Sequence, residues 1–115
     1  MTVIDITEYQ ICCTIKDYCD LHQLELIHLC NEGKRSKWGG FRLKRIGLMP
    51  GAADYFLPQG NATKKGLFLE VKTLKGKATT AQKSFIQMVI NEGYAGEIAY
   101  GLDAAINIIR NFYGL

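Results

Sequence analysis

Apolar positions along this chain follow two periods, one helical and one of alternating residues. Ile11, Cys12, Ile15 and Cys19 recur at helical spacing, which predicts a helix from about Glu8 to His22. Thr7 is its candidate cap, with Asp5 and Glu8 near its positive end. Leu24 to Leu29 alternates loosely and reads as a strand, and Asn31-Glu32-Gly33 as a turn. Ala53 to Leu57 and Leu67 to Thr73 read as two more strands, joined by a polar connection of hairpin length, Pro58 to Gly66. Thr79 or Thr80 caps a second helix that runs to about Glu92 and ends at Gly93. Glu97 to Tyr100 is a short fourth strand. Asp103 caps a last helix, Ala104 to Phe112, with Ala105, Ile108, Ile109 and Phe112 as its apolar stripe.

The order αβββαβα predicts an α/β fold. Three strands form a meander, and a helical crossover, right-handed by the usual rule, adds the fourth in parallel. The result is a mixed sheet flanked by helices, in one domain spanning residues 1–115.

One strand breaks its own pattern. In GLFLEVKTLKGK, Leu67, Leu69 and Val71 line one face, but Glu70 and Lys72 sit two apart on the other. By itself Glu-x-Lys in a strand is more often an exposed same-face pair. Asp54, on the preceding strand, is brought beside Glu70 if the two strands form a hairpin. Adjacent carboxylates repel and call for a cation. Oxygen donors suit Mg²⁺ or Mn²⁺, and the Val71 carbonyl could be a further ligand. Lys72 would then stand beside metal-bound water, the arrangement for phosphodiester hydrolysis. Two helical residues stay open on these grounds. Glu8 is either an exposed first-turn residue or turned toward a site. Gln82, three before Phe85, is either a surface residue or one that holds the scissile phosphate or orients Lys72.

Charge sharpens this picture. The net charge of +3 hides twelve basic residues and only two acids, Asp54 and Glu70, between Gly33 and Lys83, which is +10. The remainder has two bases and nine acids, which is −7. Such asymmetry points to a polyanion, most simply nucleic acid. The segment KRSKWGGFRLKR, with Lys34, Arg35, Lys37, Arg42, Lys44 and Arg45 around Trp38 and Phe41, has the composition of a phosphate-gripping loop. Its Gly39-Gly40 pair argues against a regular helix, although RLKRIGL retains some helical character. Lys75 and Lys77 read as backbone-phosphate contacts beside the acids.

Composition excludes other classes. No apolar run is long enough to span a bilayer, and MTVIDITEYQ lacks the pattern of a secretory leader. A cytoplasmic protein without membrane partners is expected. The four cysteines, Cys12, Cys13, Cys19 and Cys30, read as reduced core residues. Zinc is not expected, because no CxxC pair is present to join His22 or His28.

The motifs LMPGAADYFLP, GLFLEVKTLKGKATTAQ and NEGYAGEIAYGLDAAINII, together with NEGKRS, resemble the virus-type replication-repair nuclease (VRR-NUC) domain of the PD-(D/E)XK superfamily, in its stand-alone phage and bacterial form. The likeness covers nearly the whole chain in order. It implies a restriction-endonuclease-like fold and a Mg²⁺- or Mn²⁺-dependent endonuclease acting on branched or structured DNA in DNA repair. On this chain Asp54 and Glu70 match the metal-binding acids, Lys72 the catalytic lysine, Gln82 the glutamine of the following helix, and Glu8 the acid of the first helix. Glu32 is a further supporting candidate. Ala53 stands where the superfamily name has proline, which is read as a change in backbone stiffness. Stand-alone members resemble Holliday junction resolvases that work as homodimers, with a flap or splayed-arm repair nuclease and a non-catalytic DNA-binding module as the alternatives. NIIRNFYGL is a candidate dimer contact, or else core.

Overall fold

The computed structural model describes residues 6–29, 42 and 44–115. Among the described residues, three long helices, α1 (Glu8–Leu21), α2 (Thr80–Asn91) and α3 (Leu102–Tyr113), flank the strands β1 (Ile27–His28), β2 (Tyr55–Leu57), β3 (Leu67–Lys72) and β4 (Ala95–Tyr100). The sheet order is β1-β2-β3-β4. The first three strands pair antiparallel, and β4 joins β3 in parallel after α2. The expected mixed sheet with its crossover is therefore present.

Local chemistry sets the helix ends. Thr7 and Thr79 each begin a reciprocal capping box, accepting from the backbone of Gln10 and Gln82 while those glutamines accept from the threonine N–H. The cap expected at Asp103 lies elsewhere: α3 starts two residues earlier, from Gly101 at φ 93°, and Asp103 falls in its first turn. A chain leaving β4 must turn sharply there, so a positive φ and not a side-chain cap decides the start. The first strand is also shorter than its pattern, because β2 offers it only three residues to pair with.

The sheet has two unlike faces. Leu57, Leu67, Leu69 and Val71 are fully buried under Ile11 and Ile15 of α1 and Ala105 and Ile109 of α3. Phe56 and Phe68 stack on the opposite face, with ring centroids 4.4 Å apart, and Phe68 packs against Phe85 and Val89 of α2. Ile109 is fully buried and Phe112 and Tyr113 pack on the same core, so that side of the NIIRNFYGL segment serves the monomer. Cys19 is core and Cys12 is half-buried. Cys13 is exposed, contrary to expectation, because it lies off the buried stripe of α1. Cys30 lies outside the described residues. Among the described residues no helix is long and apolar enough to cross a membrane.

Candidate active site

The site lies at the end of the α2 face. Continuing the β2–β3 register by one residue beyond Tyr55↔Leu69 sets Asp54 opposite Glu70. Asp54 and Glu70 are each only 4% exposed, and among the described residues they are the buried charged side chains. The two acids of the basic half are thus both inside the protein, Glu70 on β3 and Asp54 in the residue just before β2.

Each acid is held from a different direction. The Val71 N–H donates to Asp54 Oδ2 at 2.8 Å, and the Leu29 N–H donates to the Asp54 carbonyl at 2.8 Å, tying the residue to β3 and to the edge of β1. Gln82 Nε2 donates to Glu70 Oε1 at 3.0 Å. The other end of the same amide, Oε1, accepts from the Thr79 N–H at 2.8 Å. That capping bond fixes the amide orientation, so the NH₂ must face Glu70. Lys72 Nζ lies 3.6 Å from Glu70 Oε1, with its side chain 18% exposed. Its stem is sheltered and its charge lies at the carboxylate.

Gly51 links the two supports. Its φ is +81°, and a Cβ there would lie 2.4 Å from the Ala81 carbonyl carbon and 2.6 Å from the Gln82 nitrogen. The loop that carries Asp54 therefore closes directly on the first turn of α2, which carries Gln82. In the sequence Pro50-Gly51 signals only a turn, and the close approach is a tertiary fact with no local signature.

Glu8 is exposed on the first turn of α1. It lines a cleft of about 580 Å³ together with Asp54, His28 and Tyr55. His28, not among the expected site residues, faces Tyr55 across the β1–β2 pair at 5.1 Å between ring centroids. Only its neighbours in the fold bring it to this cleft. Among the described residues no three His, Cys, Asp or Glu side chains gather closely enough to share an ion. Asp54 and Glu70 are the buried acids among the described residues, and Glu8 lies on the wall of the cleft that Asp54 also lines.

Of the expected nucleic-acid contacts, Lys75 and Lys77 are exposed between β3 and α2. Arg42, Lys44 and Arg45 are exposed and helical, as the RLKRIGL pattern allows. Lys34, Arg35, Lys37 and Glu32 lie outside the described residues.

The donor chemistry fits a hard divalent cation. Two buried carboxylates beside one lysine leave an excess negative charge in a sheltered place, and a hard ion taking one or two carboxylates meets that demand.

No protein-family model matches the chain, and no curated protein matches it. A solved structure described as a VRR_NUC domain protein superposes with a TM-score of 0.82 over 98% of this chain and 93% of its own, at 24% sequence identity. The chain has the fold of that VRR-NUC domain, from α1 to α3.

Proposed function

We propose that this protein is a metal-dependent endonuclease that hydrolyses phosphodiester bonds in branched DNA, acting as a Holliday junction resolvase. The observation that carries the reading is the burial of Asp54 and Glu70 side by side with Lys72 at 3.6 Å, in a half of the chain that is otherwise basic. A buried acid pair costs several kcal/mol unless compensated, on the order of what one unpaired buried charge costs. The fold shared with a VRR_NUC domain protein supports the nuclease class.

Asp54 and Glu70 would hold Mg²⁺ or Mn²⁺, with the Val71 carbonyl and Glu8 as supporting donors. The ion would supply an activated water and charge neutralisation at the phosphate. The chain's own residues do the remaining work. Gln82 orients Glu70 through a neutral donor, which leaves the carboxylate its full charge. Lys72 places a cation where negative charge grows on the phosphate. Lys75, Lys77, Arg42, Lys44 and Arg45 hold the backbone by charge, as do Lys34, Arg35 and Lys37 in the segment before them. Each chain has one site, so paired cuts across a four-way junction require a two-fold homodimer.

The test is incubation with a four-way junction, a splayed arm, a flap and linear duplex, with and without Mn²⁺. Mn²⁺-dependent paired nicks on the junction are expected. Cleavage of flaps alone would replace the resolvase reading with a repair-type activity. DNA binding without cleavage under any divalent ion would leave only a binding module.

A further inference from the structure

Two hollows flank the first turn of α1, and their charges differ. The cleft on the Glu8 side carries three carboxylates, Glu8, Asp17 and Asp54, against one lysine, Lys16. The second hollow, of about 390 Å³, is lined by Ile11, Leu74, Lys75, Tyr100, Leu102 and Asp103 among others. It sits at the carboxyl ends of the parallel strands β3 and β4, where α/β sheets commonly bind ligands. Its wall begins at Thr73, directly after Lys72, and the Gly101 N–H donates to the Lys72 carbonyl at 2.8 Å.

Three large side chains at this hollow remain in solvent: Leu74 is 72% exposed, Ile6 43% and Tyr100 40%. A Cβ at Gly101 would come within 2.7 Å of Leu74 Cδ2, so the glycine allows the leucine to lie over the strand ends.

We propose that this hollow receives an unstacked nucleobase of the DNA strand being cut, beside the scissile phosphate. The inference rests on the nuclease reading above and specifies its substrate. Lys75 lines the hollow and Lys77 follows in the same exposed turn, so a strand bound at the site passes over this side. Those lysines suit the backbone, while an apolar floor with an aromatic ring suits a base. A hollow of this size takes a single nucleoside. A base paired within a duplex cannot enter it, so the occupant is unpaired or flipped, as at a branch point. The Asp103 carboxylate in the lining accepts from exocyclic amino groups, which favours adenine, cytosine or guanine over thymine.

The test uses the Lys72→Ala protein, so that binding is read without cleavage. It is titrated with junction and splayed-arm DNA carrying an abasic site at each position flanking the branch in turn. At one position the Kd is expected to rise about tenfold, the size of a lost base–aromatic stack. Adding Tyr100→Ala raises the Kd for intact DNA by the same factor and removes the abasic penalty. Leu74→Ser, on an exposed turn, reproduces this with an unchanged melting temperature. If DNA binds equally well with every abasic site, or if the penalty persists in Tyr100→Ala, the proposal is overturned while the nuclease reading stands. Absence of DNA binding altogether overturns both.

Discussion

The two faces of this sheet use the same strands for opposite ends. Under α1 and α3, β3 presents Leu67, Leu69 and Val71, all fully buried against aliphatic partners. Under α2 the same strand presents Phe68, then Glu70, then Lys72, so burial passes from aromatic packing to charge within five residues. The first face stabilises the fold by removing apolar area from water. The second accepts two buried carboxylates, which packing alone would never favour, and surrounds them with an amide, a backbone N–H and a lysine. A stable face anchors a costly one, so that a small domain holds two buried carboxylates in place.

Substitutions can separate the two faces. The largest stability effect belongs to the first: Leu69→Ala should cost about 2–5 kcal/mol in denaturant unfolding, from lost burial and the cavity left behind. Its activity per folded molecule should be preserved. Gly51→Ala should come next, costing about 1–3 kcal/mol for an overpacked contact. It should also lower cleavage, because it parts the Asp54 loop from the Gln82 turn. Gly47→Ala sharpens the contrast: Gly47 also has a positive φ, of 109°, but nothing lies within 4 Å of its Cβ position. Its effect should be smaller and confined to stability.

Gln82→Ala removes a donor to Glu70 and the reciprocal bond of the capping box. Stability should fall by about 1 kcal/mol, typical of a lost cap or hydrogen bond. Cleavage should fall by about tenfold or more as Glu70 loses its orientation. Gln82→Glu should not rescue cleavage even if it restores the capping box, because it brings a third carboxylate to the pair.

The last effect is alkaline and comes from the core face. Burial pushes the Cys19 thiol from 9.0 up to about 11 and the Tyr113 hydroxyl from 10.0 up to about 12. The unfolded chain therefore sheds these protons first as pH rises, so stability is intact below pH 9 and declines between about pH 9 and 12. Melting temperatures across that range check this. Cys19→Ala should flatten the lower part of the decline.

Much of the fold was legible because its signals are short in range. Thr7, and Thr79 or Thr80, are readable as helix caps, while the glutamines that close each capping box show only in the fold. The alternation of Leu67, Leu69 and Val71 announced a half-charged strand. The parallel β3–β4 pairing followed from a helix between two strands. The misses have a common cause, since each depends on partners distant in sequence. The start of α3 at Gly101 depends on the path out of β4. The brevity of β1 depends on β2. The role of Gly51 depends on the backbone of Ala81 and Gln82, thirty residues on. For the candidate site, the residue pattern singled out Asp54, Glu70 and Lys72, and the family resemblance added Gln82. Neither showed that Gln82 serves the helix cap and Glu70 with the two ends of one amide, or that His28 stands in the cleft with Glu8.

The central claim is that the charged face performs chemistry and is not merely tolerated. Lys72→Ala tests it most directly, assayed on a four-way junction with Mn²⁺ alongside a binding titration of the same DNA. Nicking should fall by a factor of about a thousand or more, as when a transition-state donor is removed. The melting temperature should be close to wild type, and DNA binding should persist. Undiminished nicking by Lys72→Ala would contradict the account.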